Sequence, residues 1–257
     1  RTYRTASDEA GHPLILQPEL APQSDEMLIW NNQSWAYWKF PFAPMISKLK
    51  WLEPRHMLNV SDRWARDKTD DLQFAFFNGA GYVSWENIWG IWNGITPRDA
   101  EALRRVADVE RTFAKLLTSA NWEPYYPISP YGVFSTKFPG ESATVWTIVN
   151  RNEYDVPGAQ LPAKGDAGTQ YYDLWNGKPL TPHGATLSID IEGHGFGAVL
   201  ALPAGEQWPG LDAFLKRMRE RSEKPLASFS HEWHFLPQHI VDIAATPATA
   251  RPSGDMV

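Results

Sequence analysis

The 257-residue sequence contains no cysteine, which excludes disulfides, thiolate metal sites and cysteine nucleophiles. It also lacks any apolar run close to the roughly 20 residues that cross a bilayer. Basic residues are outnumbered, because 24 Lys and Arg stand against 30 Asp and Glu, and the net charge is −6. Nucleic-acid binding depends on clustered positive charge. We therefore expect neither a nucleic-acid partner nor a membrane partner.

Tryptophan is the residue type in excess. The chain has 13 of them, and nine fall within residues 1–122. A tryptophan buries a large area and carries one N–H that needs a partner. Such a concentration indicates either a heavy aromatic core or stacking platforms in a cleft. Because sugars present C–H faces that pack on aromatic rings, carbohydrate is the first ligand class to consider.

Both ends of the sequence suggest a piece of a longer protein. It begins at Arg1 without a signal-peptide pattern, and residues 244–252 are rich in Ala, Thr and Pro, as linkers are. We therefore expect residues 244–257 to link to a further domain, and more chain to precede Arg1. The compartment stays open, with a periplasmic or secreted location favoured.

The first half of the chain alternates between strand-like and helix-like segments. Short apolar runs at 27–30, 56–60 and 81–85 predict buried strands, separated by helix-length sequence. Between the last two, residues 69–78 combine an acidic first turn with a glycine just past the end, which predicts a helix. A longer helix is predicted over 96–118, with a charged side, expected to face solvent, that includes Arg98, Glu101, Arg105 and Glu110. Alternating units of this kind are typical of a parallel sheet flanked by helices. Residues 1–26 are predicted to be mostly loop, and 44–52 a helix.

After Trp122 the pattern changes to short β-like runs separated by Pro and Gly turns, including Pro157-Gly158 and Asn176-Gly177. The predicted strands cover residues 132–138, 143–150, 169–175, 186–191 and 195–202. A short amphipathic helix is predicted over 211–221, and 225–243 returns to a β pattern. The fold class is therefore α/β plus all-β: the last βα units of a (β/α)8-type barrel in residues 1–122, then an antiparallel β-sandwich in 123–243.

Functional residues of α/β folds lie just past the carboxyl ends of the strands. This rule selects Asn31 and Asn32, then Asp62, then Glu86. Glycoside hydrolysis needs two carboxylates, one as acid and one as nucleophile or base. We predict Glu86 and Asp62 as this pair. Expected substrate-binding residues are Trp85, Asn87, Trp89, Trp92, Asn31, Asn32 and Trp35.

Structural explanations compete with these assignments. Glu86 could be an ion-pair partner of Arg98, and Asp62 could cap a helix or pair with a nearby arginine. The cluster around His231 and His234 lacks the spacing of a metal motif, and 193–197 is glycine-rich but has no following helix to hold a phosphate. We therefore predict no metal and no cofactor.

Several stretches resemble a known class of protein. Residues 74–105, with Phe76-Phe77-Asn78-Gly79 and Trp85-Glu86-Asn87-Ile88-Trp89-Gly90, resemble the last unit of a glycoside-hydrolase barrel. Residues 171–180 and 191–202 resemble the small C-terminal β-sandwich that follows many such barrels. The tail 251–257 is similar to the entry into a formylglycine-generating-enzyme-like (sulfatase-modifying-factor) domain. The resemblance implies a carbohydrate substrate, and only Glu86 carries over by position.

Three functions remain in competition. The leading hypothesis is a glycoside hydrolase that acts on an O-glycosidic bond, with the partner of Glu86 either Asp62 or a residue upstream of Arg1. The alternative is a non-catalytic carbohydrate-binding module, in which the tryptophans serve as platforms. The third is a structural fragment beside a modifying domain. A second carboxyl group about 5–10 Å from Glu86 across an open cleft would favour the first.

Overall fold

The computed structural model describes residues 2–12, 14–18, 25–35, 40–60, 67–83, 95–163, 165 and 167–232. Its helices are α1 (Thr2–Ala10), α2 (Asp25–Trp30), α3 (Lys48–Leu52), α4 (Thr69–Asn78), α5 (Pro97–Thr112), α6 (Ala114–Leu117) and α7 (Leu211–Ser222). Its first three strands are β1 (Gln33–Trp35), β2 (Met57–Val60) and β3 (Gly81–Tyr82). The others are β4 (Glu123–Tyr126), β5 (Val133–Pro139), β6 (Thr144–Asn150), β7 (Val156–Pro162), β8 (Gln170–Asp173), β9 (Lys178–Leu180), β10 (Thr186–Ile191) and β11 (Phe196–Leu202).

Strands β1, β2 and β3 form one parallel sheet in that order. This confirms the predicted parallel pairing of the segments near 56–60 and 81–85. The first predicted strand is wrong, because residues 27–30 belong to helix α2 and the sheet instead takes Gln33–Trp35. Only Leu28 of that apolar run is buried, as on one face of a helix. A four-residue apolar run cannot by itself distinguish a helix from a strand.

Helix α4 lies between the parallel sheet and a second, larger sheet. Its Phe74 and Ala75 pack with Val60 of β2, while Phe76 and Phe77 join the core of the larger sheet. Nine of its ten residues are buried, which explains why its apolar residues do not form a single stripe. The helix ends at Gly79, whose left-handed backbone (φ 57°) suits glycine as a C-cap.

The larger sheet is antiparallel and has six strands in the order β4-β5-β6-β11-β8-β9. One face packs against α4, α5 and α7, and the other packs against a two-stranded ribbon of β7 and β10. All seven residues of the central strand β11 are buried, because both faces are covered. The five predicted strands are all present, and the Asn176-Gly177 turn joins β8 to β9 as expected.

Some local predictions were wrong. Residues 157–158 lie inside β7 and not in a turn, at the point where its register with β10 shifts, and such an irregularity accommodates proline and glycine. Strands β4 and β7 were not predicted. Residues 2–10 form α1 and not a loop, and residues 226–228 form a 3₁₀ turn where a β pattern was expected. In the described part of the chain, no helix is long and apolar enough to cross a membrane.

The predicted long helix is α5 followed by α6. Its start is set locally, because the Thr96 side chain accepts from the Asp99 backbone N–H and Pro97 occupies the first turn. The face predicted to meet solvent is in part buried: Arg98, Glu101 and Arg105 are almost fully covered. Arg105 donates to the carbonyls of Arg221 and Lys224 at 2.7 and 2.6 Å, so the end of α7 covers that face.

Candidate functional site

The candidate site is the carboxyl edge of the parallel sheet. Strands β2 and β3 are adjacent and in register, with Asn59 opposite Gly81 and Val60 opposite Tyr82. The Val83 N–H continues the ladder by donating to the Val60 carbonyl at 3.0 Å. The segments 61–66 and 84–94 therefore leave the sheet from neighbouring positions on the same edge.

Both predicted carboxylates belong to those two segments. Asp62, Trp85, Glu86, Asn87, Trp89 and Trp92 all lie outside the described residues. Their roles, including the pairing of Glu86 with Asp62, stay predictions. Trp35 is the last residue of β1, opposite Asn59, so its backbone lies at this same edge.

Asn31 and Asn32 are at the opposite edge. Because 25–30 is a helix, these residues come before β1 and stand at the amino ends of the strands. The Asn31 amide donates to the Met27 carbonyl at 2.6 Å, and the Asn32 Oδ1 accepts from the Leu16 N–H and from Arg4, each at 3.2 Å. The strand-polarity argument therefore no longer supports them as substrate ligands. They hold the amino-terminal segments against the sheet.

A polar network fastens the far ends of the two segments that carry the predicted acids. Segment 61–66 leads into α4 and segment 84–94 leads into α5, and Asp99 joins the two helix starts. Its carboxylate accepts from the Lys68 N–H at 2.9 Å, from the Thr69 hydroxyl at 2.7 Å and from the Thr96 hydroxyl at 2.9 Å. Asp99 is fully buried, so these bonds are shielded from water. The described residues on both sides of 61–66 and of 84–94 are thus fixed by hydrogen bonds.

Arg98 extends this network to the β-rich part. Its guanidinium donates to the Thr69 hydroxyl at 2.8 Å and to the carbonyls of His194 and Gly193 at 2.8 and 3.2 Å. The glycine-rich segment around His194 is thus a turn whose carbonyls accept hydrogen bonds from Arg98. These bonds give Arg98 a structural role that does not require an ion pair with Glu86.

Asn59 is a candidate that the sequence analysis missed. It lies on β2 between the buried residues Leu58 and Val60, so its side chain projects from the opposite face of the sheet. A Cβ at Gly81 would lie within 3.0 Å of the Asn59 Oδ1, so a larger residue there would require the Asn59 side chain to move. Asn59 and Gly81 line a cavity of about 610 Å³ against α5. A polar residue alternating with buried ones in a predicted strand was the available signal.

Several titratable side chains lie at the amino edge of the parallel sheet, around a cavity of about 210 Å³. Lys50 is buried and donates to the carbonyls of Gly79 and Leu117 at 3.1 and 2.6 Å, near the ends of α4 and α6. Burial lowers the Lys50 pKa to about 8, against the opposing attraction of Glu110. Burial likewise raises the Glu110 pKa to about 8, against the attraction of Lys50.

His56 lines the same cavity. Its Nε2 lies 2.7 Å from the hydroxyl of Ser34. Burial lowers its pKa, with the Asn31 carbonyl and Glu53 acting in the opposite direction. This group lies at the amino ends of β2 and β3 and is therefore distinct from the predicted carboxylate pair. In the described residues, no cluster of three or more acidic or histidine side chains could hold a metal.

No protein-family model matches this chain, and no curated protein matches its sequence. Similarity is found among solved structures. An α-amylase from Anoxybacillus superposes with a TM-score of 0.50 at 12% identity, over 79% of this chain and 55% of that one. An α-amylase from H. orenii gives a TM-score of 0.50 at 12% identity, over 78% and 56%. The chain spans about half the length of these structures, and at this identity the similarity concerns the fold alone, which is like that of glycoside hydrolases.

Proposed function

We propose that this chain is the carboxyl-terminal part of a glycoside hydrolase, in which Glu86 and Asp62 serve as the two carboxylates. The observation that carries the proposal is the parallel, in-register pairing of β2 and β3, because it sends both acid-bearing segments from one edge. The similarity to α-amylases supports a glycosidase fold without specifying a substrate. Residues 1–122 would contribute the last units of the barrel, and residues 123–243 its β-sandwich.

The roles follow from the surroundings of each acid. Glu86 lies between Trp85 and Trp89 in the sequence. Indole rings beside a carboxyl group disfavour its charged form, which suits a general acid that protonates the leaving oxygen. Asp62 directly precedes Arg63, whose positive charge favours the ionised form of a nearby carboxyl group, and would act as nucleophile or base. Trp89, Trp92, Asn87 and Trp35 would bind the sugar.

The test is to incubate the protein with a panel of α- and β-linked oligosaccharides and to measure the reducing ends that hydrolysis releases. We expect Glu86→Gln and Asp62→Asn each to lower turnover by about 10²–10⁴-fold without lowering stability. Glu141→Gln, at an exposed position in the turn between β5 and β6, is the matched control and should keep full activity.

Two results would count against the proposal. Unchanged turnover in Glu86→Gln would remove Glu86 from the mechanism. An absence of hydrolysis on every substrate, combined with sugar binding, would favour the alternative of a non-catalytic carbohydrate-binding module. If Glu86 is the general acid, its Gln variant should retain more activity on aryl glycosides, whose leaving groups need less protonation.

A further inference from the structure

A cavity of about 760 Å³ lies entirely within the β-rich part of the molecule. Its walls come from β8, the end of β11, the loop that joins β11 to α7, and the first turn of α7. Every wall residue used below is a described residue. None of the residues assigned to the proposed hydrolytic site takes part.

Two aromatic rings form part of these walls and are fixed by the core behind them. Trp208 is half-buried, and its ring packs on Phe113 with 5.1 Å between centroids. Tyr172 is also half-buried against the same core, and its hydroxyl donates to the Gln170 Oε1 at 2.7 Å. Because the rings are held in place already, binding a ligand on them would lose little side-chain entropy.

Two glycines and a proline determine the backbone path of the loop that carries Trp208. Gly205 and Gly210 both adopt positive φ, 83° and 75°, and a Cβ at either would meet nothing within 4 Å. These glycines therefore serve the turns of the loop and not a close packing contact. Pro209 further restricts the backbone next to the indole.

The polar groups of the cavity suit a ligand that both donates and accepts hydrogen bonds. The amides of Gln170 and Gln207 offer donors and acceptors, and the carboxylates of Glu206 and Asp212 offer acceptors. Helix α7 begins at Gly210, where no side chain caps its first N–H groups. Hydroxyl groups are the ligand groups that can serve all of these partners at once.

The charges of the residues that line the cavity further restrict the class of ligand that it can bind. Of the described residues that line the cavity, none is Lys or Arg, while two are acidic. An anionic ligand would therefore be repelled. Two carboxylates supply fewer oxygens than the six to eight that Ca²⁺ prefers. A neutral polyhydroxyl ligand with an apolar ring face matches the aromatic walls, the amides and the acidic groups together.

We propose that this cavity is a carbohydrate-binding site, separate from the hydrolytic site, which holds a neutral polysaccharide chain by stacking a sugar ring on Trp208. The face of an indole ring is electron-rich and attracts the C–H groups of a pyranose ring. The hydroxyls of the same sugar pair with Gln170, Gln207 and Asp212.

The experiment is native gel electrophoresis in gels that contain soluble amylose, glycogen, hydroxyethyl cellulose or xylan. We expect at least one polysaccharide to retard the wild-type protein. Trp208→Ala should weaken that retardation by about tenfold or more, since removing a central tryptophan from a binding site has effects of this size. Trp51→Ala is the matched control, because Trp51 is 57% exposed and lies outside this cavity.

A second variant distinguishes loss of the binding site from misfolding of Trp208→Ala. Ala213 is exposed on α7 and lines the cavity, so Ala213→Arg blocks the space while leaving Trp208 and its contact with Phe113 in place. It should lose retardation as Trp208→Ala does. Thermal melting of both variants checks the fold.

The outcomes separate this proposal from the hydrolytic one. Glu86→Gln should keep the retardation, and Ala213→Arg should keep hydrolysis of small aryl glycosides. The cavity assignment is overturned if no polysaccharide retards the protein, or if Ala213→Arg and Trp208→Ala are retarded as strongly as the wild type. Loss of retardation in Glu86→Gln alone would likewise place binding at the barrel edge and overturn it.

Discussion

Replacing Glu110 by Gln should remove a pH dependence of stability that originates in one buried carboxyl group. The Glu110 Oε1 is buried and has no hydrogen-bond partner among the described residues. Its pKa is about 8 in the folded protein, against 4.5 for an unperturbed glutamate. Between these two values the folded protein keeps a proton that the unfolded chain releases. The contribution of Glu110 to stability is therefore present below pH 4.5 and is lost as pH rises to 8.

The size of the effect follows from the same two values. One unit of pKa corresponds to about 1.4 kcal/mol, so the change from 4.5 to about 8 sets an upper limit of roughly 5 kcal/mol. Glu110 is only half-buried as a whole residue, and water near its other atoms reduces this figure. We expect the Gln variant to gain about 1–3 kcal/mol on the wild type between pH 5 and pH 8.

Above about pH 8, Lys50 makes the stability of the protein change with pH in the opposite direction. Its lowered pKa means that, between about 8 and 10.5, the unfolded chain holds a proton that the folded protein has lost. Stability should therefore rise with pH across this window in both proteins. Glu110 and Lys50 together place a minimum of stability near pH 8 in the wild type, and the Gln variant should have a shallower one.

The assay is urea unfolding of both proteins at half-unit pH steps from 5 to 8.5. Glu141→Gln, at an exposed site, controls for the loss of one negative charge. The informative quantity is the difference in unfolding free energy between variant and wild type, because titrating groups that do not interact with Glu110 cancel in it, and Lys50, which does interact with it, titrates near the upper end of this range. Parallel pH profiles of Glu110→Gln and wild type would refute the reasoning and show that the carboxyl group is solvated.

Two further predictions concern packing. Gly177 and Gly184 have nearly the same positive φ, 63° and 64°, but a Cβ at Gly177 would lie within 3.0 Å of the Leu215 carbonyl, whereas at Gly184 it would meet nothing. Gly184→Ala should cost about 1 kcal/mol and Gly177→Ala about 3 kcal/mol or more, measured by urea unfolding, and equal losses would contradict the contact between the β8–β9 turn and α7. Arg105→Lys should lower stability by about 2–4 kcal/mol, because a lysine cannot donate at once to Glu101 and to both carbonyls at the end of α7. A thermal midpoint unchanged from wild type would be inconsistent with this network.

Where local chemistry decides an element, the sequence was sufficient to predict it. Helix α5 starts at a threonine cap followed by proline, and α4 ends at a glycine in the left-handed region. Strands β5, β6, β8 and β11 of the larger sheet were predicted because turn residues bound each of these short β-like runs. In these cases the signal lies within a few residues of the element itself.

Where a distant partner decides, the sequence was not sufficient. Glu101 and Arg105 look like solvent-facing charges on a helix, but α7, more than 100 residues later, covers them. The buried carboxyl of Glu110 was likewise assigned to the polar face. The short run at 27–30 carries no period, so its helix could not be told from a strand, and the error moved Asn31 and Asn32 to the wrong edge of the sheet.

The position of α4 between two sheets has a consequence for how this chain can be divided. The change in sequence pattern after Trp122 suggests a boundary at residue 122. Dividing the chain there would separate α4 and α5 from the sheet that covers Leu72, Phe76 and Phe77. Residues 123–232 expressed alone would expose the face built from Phe138, Phe196 and Leu200, among others, and we expect that piece to aggregate. We therefore expect that the part with the parallel sheet and the β-rich part do not recombine as independent modules. An engineer who transplants one of them onto another protein must carry the other with it.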